Sequence, residues 1–446
     1  MEIKAKDNSI IEGFSCLIQQ LCQTSIRDFN TNDLFIFPYS RKNAQKNTYV
    51  LEKLDNHIKT NNYIGYLKEN EDCLLISSRF RNQETENEES GPDYFVMYML
   101  SKVLGIQIFS NFSFQKQARS KIDLAYLLFP SYLSKALRKG FYRRYAYQQY
   151  NDSNFKGKVD VNSFLKRNIP FHGTFSYKKR KLRYDEPLIH LIRHTIESMK
   201  EHGYESWLTS DKSNQQNIQK IKELTDNYKR SQRQNIIYAN ERNPIIHAYY
   251  HEYRTLQKLC IHILKGFQTD FQTRRLHGFL IDVAWLWEEY LAVVLGKSFI
   301  HPMNEEKTNK HHYFADQEGN DFLGEIYPDF ISNNIDNRMI ADAKYKRMDN
   351  SVNSDFHQIL AYMFRFDANK GYLIYPSKNN EAIKSFDLLE GINFNNQREI
   401  RRKDGQSITV HKVAIKVNIT CNTYGDFVTS MEEEEKKLKS FMNCDV

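Results

Sequence analysis

Two segments, IYPDFI at 326–331 and MIADAKYK at 339–346, decide how this chain is read. Both are short apolar runs of strand length. The residues between them are polar and rich in Asn, the chemistry of a turn. In a strand, alternate side chains share a face. Asp342 and Lys344 therefore point to one side, while Ala341 and Ala343 point to the other. A hairpin turning through Asn333, Asn334 and Asn337 brings Asp329 beside that pair. Two carboxylates and a lysine then converge at the end of a strand pair whose other side chains are apolar. An acid inside an apolar strand is costly unless it binds something. An exposed edge-strand salt bridge is the competing reading.

An acid two residues before a lysine means little alone, since Glu2 and Lys4, Glu305 and Lys307, and Glu434 and Lys436 share the spacing. Context singles out 342–344: an apolar strand leads in, Pro328 and Asp329 lie one hairpin upstream, and a helix is expected over 354–366. This set suits phosphodiester hydrolysis. Asp329 and Asp342 can hold Mg²⁺, a hard cation that accepts one or two protein carboxylates and keeps its waters; Mn²⁺ is the alternative ion. The main-chain carbonyl of Ala343 completes the shell. Lys344 orients the attacking water or stabilises charge on the phosphorus.

Two helices frame the motif. The apolar helix expected over 281–295 carries Glu288 and Glu289. Glu288 is favoured as a further metal-directed carboxylate, and two solvent-facing acids are the alternative. On the following helix Gln358 shares a face with Asp355 and Tyr362. Gln358 holds the nucleophile or the lysine, or lies on an ordinary helix surface. His301, His311 and His312 sit in a polar insertion and read as loop residues, with a metal role as the alternative. No Gly-rich phosphate loop and no Gly-x-Ser-x-Gly or Cys/His nucleophile motif occurs.

The remainder of the 446 residues suits two or three domains in an α+β multidomain chain. Residues 1–110 read as a β-rich N-terminal domain, with strands near 35–37, 48–51 and 73–76, an acidic loop at 82–90 and a helix at 94–103. Residues 111–266 read as a basic, mostly helical middle region. Leu188, Ile189, Ile192, Thr195, Ile196 and Met199 mark one buried helix face there, 208–243 is a polar helix edge or connector, and 249–266 resumes a helix. Residues 267–446 read as an α/β domain with a mixed sheet, closing on an exposed charged helix at MEEEEKKLKS.

Net charge is +8, and its distribution says more than its size. Arg138, Lys139, Arg143 and Arg144 lie in one acid-free basic stretch, and Lys178, Lys179, Arg180, Lys181 and Arg183 in another. With interleaved Phe and Tyr, both are candidates for DNA binding; a solvated basic helix face is the alternative. Six scattered cysteines without a Cys-x-x-Cys pair fit unpaired thiols in a reducing compartment. No apolar stretch approaches the roughly 20 residues that span a bilayer, and the first residues lack a secretion signal's apolar core. A cytoplasmic protein with no membrane contact is expected.

Through Pro328 and Asp329, Asp342 to Lys344, Glu288 and Gln358, the chain resembles the PD-(D/E)XK nuclease superfamily. Within it, the chain resembles the McrC family, including the subunits of LlaJI-type restriction systems. Further matches are Gly157 to Val161, similar to that family's Gly-[Arg/Lys]-hydrophobic-Asp segment, Asp342 to Lys346, and the acidic Tyr184 to Pro187 stretch before a helix. The resemblance covers about half the chain, and His190 stands near where the family often has Asn. It implies a C-terminal PD-(D/E)XK nuclease domain that cuts double-stranded DNA. It also implies an N-terminal part that docks on a hexameric McrB-like AAA+ GTPase, within a phage-defence restriction complex. A non-catalytic adaptor that stimulates the partner's NTPase, and an autonomous repair nuclease, are the competing functions.

Overall fold

The computed structural model describes residues 2–13, 15–28, 34–38, 48–55, 57–81, 93–105, 123–184, 186–209, 212–266, 276–302, 311–319, 321–350, 352–388 and 408–444. The structure groups them differently from the three successive segments expected. Met1–Leu124 and Gln272–Val446 form one compact unit, and Ala125–Phe271 a second, inserted between them in sequence.

The first unit opens with β1 (Glu2–Lys6), α1 (Cys16–Gln23), β2 (Leu34–Phe37), β3 (Leu51–Leu54), β4 (His57–Thr60), β5 (Tyr63–Glu69), β6 (Asp72–Ser77) and α2 (Tyr94–Leu104). The runs at 35–37 and 73–76 are strands as expected, whereas the strand expected at 48–51 begins only at Leu51. The acidic loop at 82–90 lies outside the described residues. Ile3, Leu17, Ile18, Leu21, Leu67 and Leu74 share one core between α1 and this sheet.

The second unit begins at Ala125 within α3 (Asp123–Leu137) and continues with β7 (Arg143–Asp152), β8 (Lys158–Val159), α4 (Val161–Arg167), β9 (Phe175–Tyr184), α5 (Glu186–Glu201), α6 (Glu205–Thr209), α7 (Lys212–Leu224), α8 (Arg233–Arg242) and α9 (His251–Gly266). The residues expected on one face of α5 are buried, Leu188 and Ile192 at 1% exposure and Thr195 and Ile196 at 0%. The expected connector over 208–243 contains α7 and α8. One correction concerns the basic stretch at 178–183, which is no helix face. It lies on β9, which pairs antiparallel with β7 and β8. Phe175, Tyr177, Leu182 and Tyr184 flank the bases on this strand, residue types that suit extended backbone.

The first unit resumes with β10 (His277–Asp282), α10 (Val283–Leu295), β11 (Phe299–Ile300), β12 (His311–Ala315), β13 (Phe322–Ile326), β14 (Phe330–Ser332), β15 (Met339–Ala343), α11 (Asn353–Arg365), β16 (Lys370–Ser377), β17 (Lys384–Asp387), β18 (Thr409–Lys416) and α12 (Tyr424–Phe441). Ile281, expected in a helix, belongs instead to β10. That strand enters the N-terminal sheet between β5 and β2, giving the order β1-β6-β5-β10-β2. Asp282 then starts α10 by accepting from the Ala284 and Trp285 amides at 3.2 and 3.1 Å.

A second sheet, ordered β11-β14-β15-β16-β18-β17, is mixed: β15, β16 and β18 run parallel, and β11 to β14, β14 to β15 and β17 to β18 are antiparallel pairs. Helix α11 covers one face, its Ile359, Tyr362 and Met363 joining Ile340, Leu373 and Tyr375 in one core. Gly371 lies against this core, where a Cβ would stand 2.5 Å from the Met363 sulfur and make Met363 shift. The charged C-terminal helix is not simply exposed. Met431, Leu438 and Glu435 are buried, and Glu435 accepts from the Tyr98 and Tyr290 hydroxyls at 2.7 and 2.8 Å. No described helix is long and apolar enough to cross a membrane.

Candidate active site

Strand β14 pairs with β15 in the register Phe330↔Ala341 and Ile331↔Ile340. Continuing one residue sets Asp329 opposite Asp342, and opposed residues share a face. Lys344, two residues on, takes the same side. The Asp329 carboxylate accepts from the Ala343 main-chain N–H at 2.8 Å. A strand residue's N–H and C=O point the same way, so the Ala343 carbonyl faces the Asp329 side. This is also the carboxyl end of parallel strand β15, where open α/β sheets tend to bind ligands.

Asp342 is 2% exposed. Its Oδ2 lies 2.5 Å from the Lys344 Nζ. Burial pushes the carboxyls of both Asp329 and Asp342 above the ordinary range, and at Asp329 the Asp342 and Glu288 charges push the same way. Lys344 is the nearby counter-charge. Burial alone would depress its ammonium, but Asp342, Asp329 and Asp355 lift it above the usual lysine value.

From Lys344 a chain of hydrogen bonds returns to the hairpin. Lys344 donates to Gln358 Oε1 at 2.9 Å, and Gln358 Nε2 donates to the Tyr362 hydroxyl at 3.0 Å. Tyr362 donates to the main-chain carbonyl of Tyr327 at 3.3 Å, two residues before Asp329. Gln358 thus contacts the lysine, one of the roles expected for it. On the outer side Lys346 pairs with Asp355 at 2.5 Å. Asp355 also caps α11 by accepting from the Val352 amide at 3.1 Å.

Helix α10 supplies the acids of the opposite flank. His301 Nδ1 donates to the Asp329 main-chain carbonyl at 2.9 Å. Its Nε2 lies 3.5 Å from Glu289 and 3.8 Å from Glu288. Burial opposes charge on this ring, but the Glu289 bond and the Asp329 carbonyl raise its pKa overall. Glu288 is the helix acid whose charge reaches Asp329, and Glu289 is the one bonded to His301. His301, read as a loop residue with a metal role as the alternative, and Tyr362 are site residues that the sequence reading did not assign to the site. Each acts through a contact across the fold, and only the shared helix face of Gln358 and Tyr362 hinted at the second.

Among the described residues no group of three or more His, Cys, Asp or Glu side chains is placed to hold a metal ion by itself. The donors fit a hard cation all the same. Burial and the neighbouring Asp342 and Glu288 charges push the Asp329 carboxyl up, crowding that favours a bound positive charge, and such a cation needs few protein carboxylates.

The basic candidates belong to the second unit. Register brings Arg143 opposite Tyr184 and Arg144 opposite Arg183, so the two basic stretches meet on one ribbon. Arg180 stacks over Tyr145 at 4.4 Å and Lys181 over Tyr150 at 5.0 Å. Arg143 covers the Tyr184 ring at 4.7 Å, Lys179 is partly buried and Arg138 is exposed. Two candidates already have acidic partners: Lys139 pairs with Glu252 at 2.8 Å, and Lys178 with Asp160 at 2.9 Å. Asp160 closes the Gly157 to Asp160 segment, where Gly157 is required because a Cβ would stand 2.4 Å from the Lys178 carbonyl. The Arg183 and Glu186 side chains and all of Asp185 lie outside what is described.

A family model described as "McrBC 5-methylcytosine restriction system component" matches residues 58–376. A chain in a Thermococcus gammatolerans half-complex of McrB AAA+ hexamers with bound McrC is 15% identical, with a TM-score of 0.47 over 99% of this chain and 100% of that one. A chain of the Thermococcus gammatolerans McrBC complex is also 15% identical, with a TM-score of 0.31 over 66% of this chain and 87% of that one. No curated protein matches. The family match runs through Glu288, Asp329, Asp342, Lys344 and Gln358 and covers well over half of the residues, so the chain belongs to the family of McrBC 5-methylcytosine restriction system components.

Proposed function

We propose that this restriction-system component is its Mg²⁺-dependent DNA endonuclease, with a PD-(D/E)XK site at the end of the β14/β15 hairpin. The convergence of Asp329, Asp342 and Lys344 carries the reading. Asp329, Asp342, the Ala343 carbonyl and Glu288 would hold the ion. When bound, Mg²⁺ supplies Lewis-acid polarisation of the scissile phosphate and a water of lowered pKa. Lys344, kept charged by the surrounding acids, stabilises negative charge developing on the phosphate oxygens. Gln358 and Tyr362 fix the lysine's direction, so little reorganisation is needed as charge develops.

The exposed part of the β7/β9 ribbon, with Arg144, Arg180 and Lys181, is the proposed DNA-contacting surface. The proposed partner is an AAA+ GTPase engaged through the N-terminal residues, a reading supported by the McrC-like sequence motifs. The test is a cleavage assay on double-stranded DNA with a McrB-like AAA+ GTPase, with and without Mg²⁺ and GTP. Metal-dependent cutting supports the reading. GTPase stimulation without any cutting would instead make the chain an adaptor, and partner-independent cutting would make it an autonomous nuclease.

A further inference from the structure

We propose that His301 is a positioning residue of the acidic site, holding Asp329 and the α10 acids at the spacing a divalent cation needs. The inference rests on the metal-site reading above. Strand β11 pairs with β14 in the register Phe299↔Ser332 and Ile300↔Ile331. One residue further, His301 falls beside Phe330, with ring centroids 5.1 Å apart. A carbonyl oxygen can only accept, so the 2.9 Å contact between His301 Nδ1 and the Asp329 oxygen fixes a proton on Nδ1. Nε2 is thereby left facing Glu289 at 3.5 Å and Glu288 at 3.8 Å.

A single ring thus joins the backbone of the first motif acid to both acids of the helix. Four carboxylates, at 288, 289, 329 and 342, would otherwise repel one another with Lys344 as the nearby counter-charge. The His301 side chain is only 14% exposed, so these contacts are shielded from water. His301 lies closer to Glu289 than to Glu288. Groups that orient metal ligands from behind typically contribute 10- to 100-fold to metal affinity.

The test is Mn²⁺ binding to the full-length protein without DNA, read from the electron paramagnetic resonance signal of free Mn²⁺. His301→Phe keeps the tilted ring contact with Phe330 and removes the polar contacts. His301→Asn restores a donor for the Asp329 carbonyl without the ring. Wild type should bind Mn²⁺ and Asp342→Ala should not. His301→Phe should bind about tenfold more weakly or worse, with His301→Asn between it and wild type. Wild-type affinity in His301→Phe, alongside lost binding in Asp342→Ala, would overturn the role of His301 alone. Tighter binding by His301→Phe than by His301→Asn would also overturn it, since the ring contact would then be what matters. No Mn²⁺ binding by wild type would overturn the metal-site reading, and this inference with it.

Discussion

The main-chain N–H of Ala343 donates a 2.8 Å hydrogen bond to the carboxylate of Asp329. That bond stitches the lead-in of β14 to the end of β15 and turns two separate sequence motifs into one site. Asp329 is thereby fixed across the hairpin from Asp342, with Lys344 on the same face.

The lysine's orientation should depend on a side chain that touches neither acid. Tyr362→Phe removes the hydroxyl that links Gln358 to the Tyr327 carbonyl. Loss of a hydrogen bond worth about 1 kcal/mol corresponds to roughly a fivefold drop in cleavage rate. Gln358→Ala should cost at least as much, and the double variant little more than the worse single one, because both break the same chain. Effects that multiply independently would contradict the relay.

Behind the site, Asp7 is fully buried and pairs with Arg79 at 3.1 Å. The same guanidinium stacks over Tyr345, the neighbour of Lys344, at 4.4 Å. Burial already pushes the Asp7 carboxyl up against the pull of Arg79. Arg79→Ala leaves that acid without its cation and should destabilise the first unit by about 3 kcal/mol. Adding Asp7→Asn should recover part of the loss. Chemical denaturation measures both, and an unchanged Arg79→Ala midpoint would refute the pairing.

The second unit should weaken in acid. Burial, reinforced by Arg233, His190 and Arg193, pushes the His194 imidazole down to about 4 from 6.5. Neither ring nitrogen has a hydrogen-bond partner among the described residues. As pH falls below about 6.5, the unfolded chain takes up a proton that the folded unit refuses until about 4. This contribution is therefore complete above that window and is lost on descending through it, by up to about 3 kcal/mol. Melting temperature against pH should flatten in His194→Phe; an unchanged slope would exclude His194 as the cause.

Neutralising Arg144, Arg180 and Lys181 together should weaken DNA binding most at low salt. The slope of log affinity against log salt should become shallower by roughly one for each phosphate that is no longer neutralised. Unchanged affinity in fluorescence anisotropy at low salt would remove the ribbon from the DNA-binding surface.

The hairpin acids were legible from sequence because strand alternation and a short turn are local rules, and Asp329, Asp342 and Lys344 obey both. His301 was not, since its meaning depends on β11 lying beside β14. Nor was β10, whose six residues join a sheet made from strands more than two hundred residues earlier. Its apolar run merges with that of α10, so sequence periodicity assigned Ile281 to the helix. The C-terminal helix looked exposed because Glu435 sits in a charged run, and its burial depends on partners from distant helices, Tyr98, Lys102 and Tyr290. Local pattern also left open whether the bases at 178–183 belonged to a helix, and pairing with β7 decided it.

The most direct measurement compares cleavage of double-stranded DNA by wild type and Asp342→Ala, each with the AAA+ partner, GTP and Mg²⁺. Asp342→Ala should still bind the partner and DNA but cut at background level. Equal cutting by the two proteins would contradict the site at Asp329, Asp342 and Lys344.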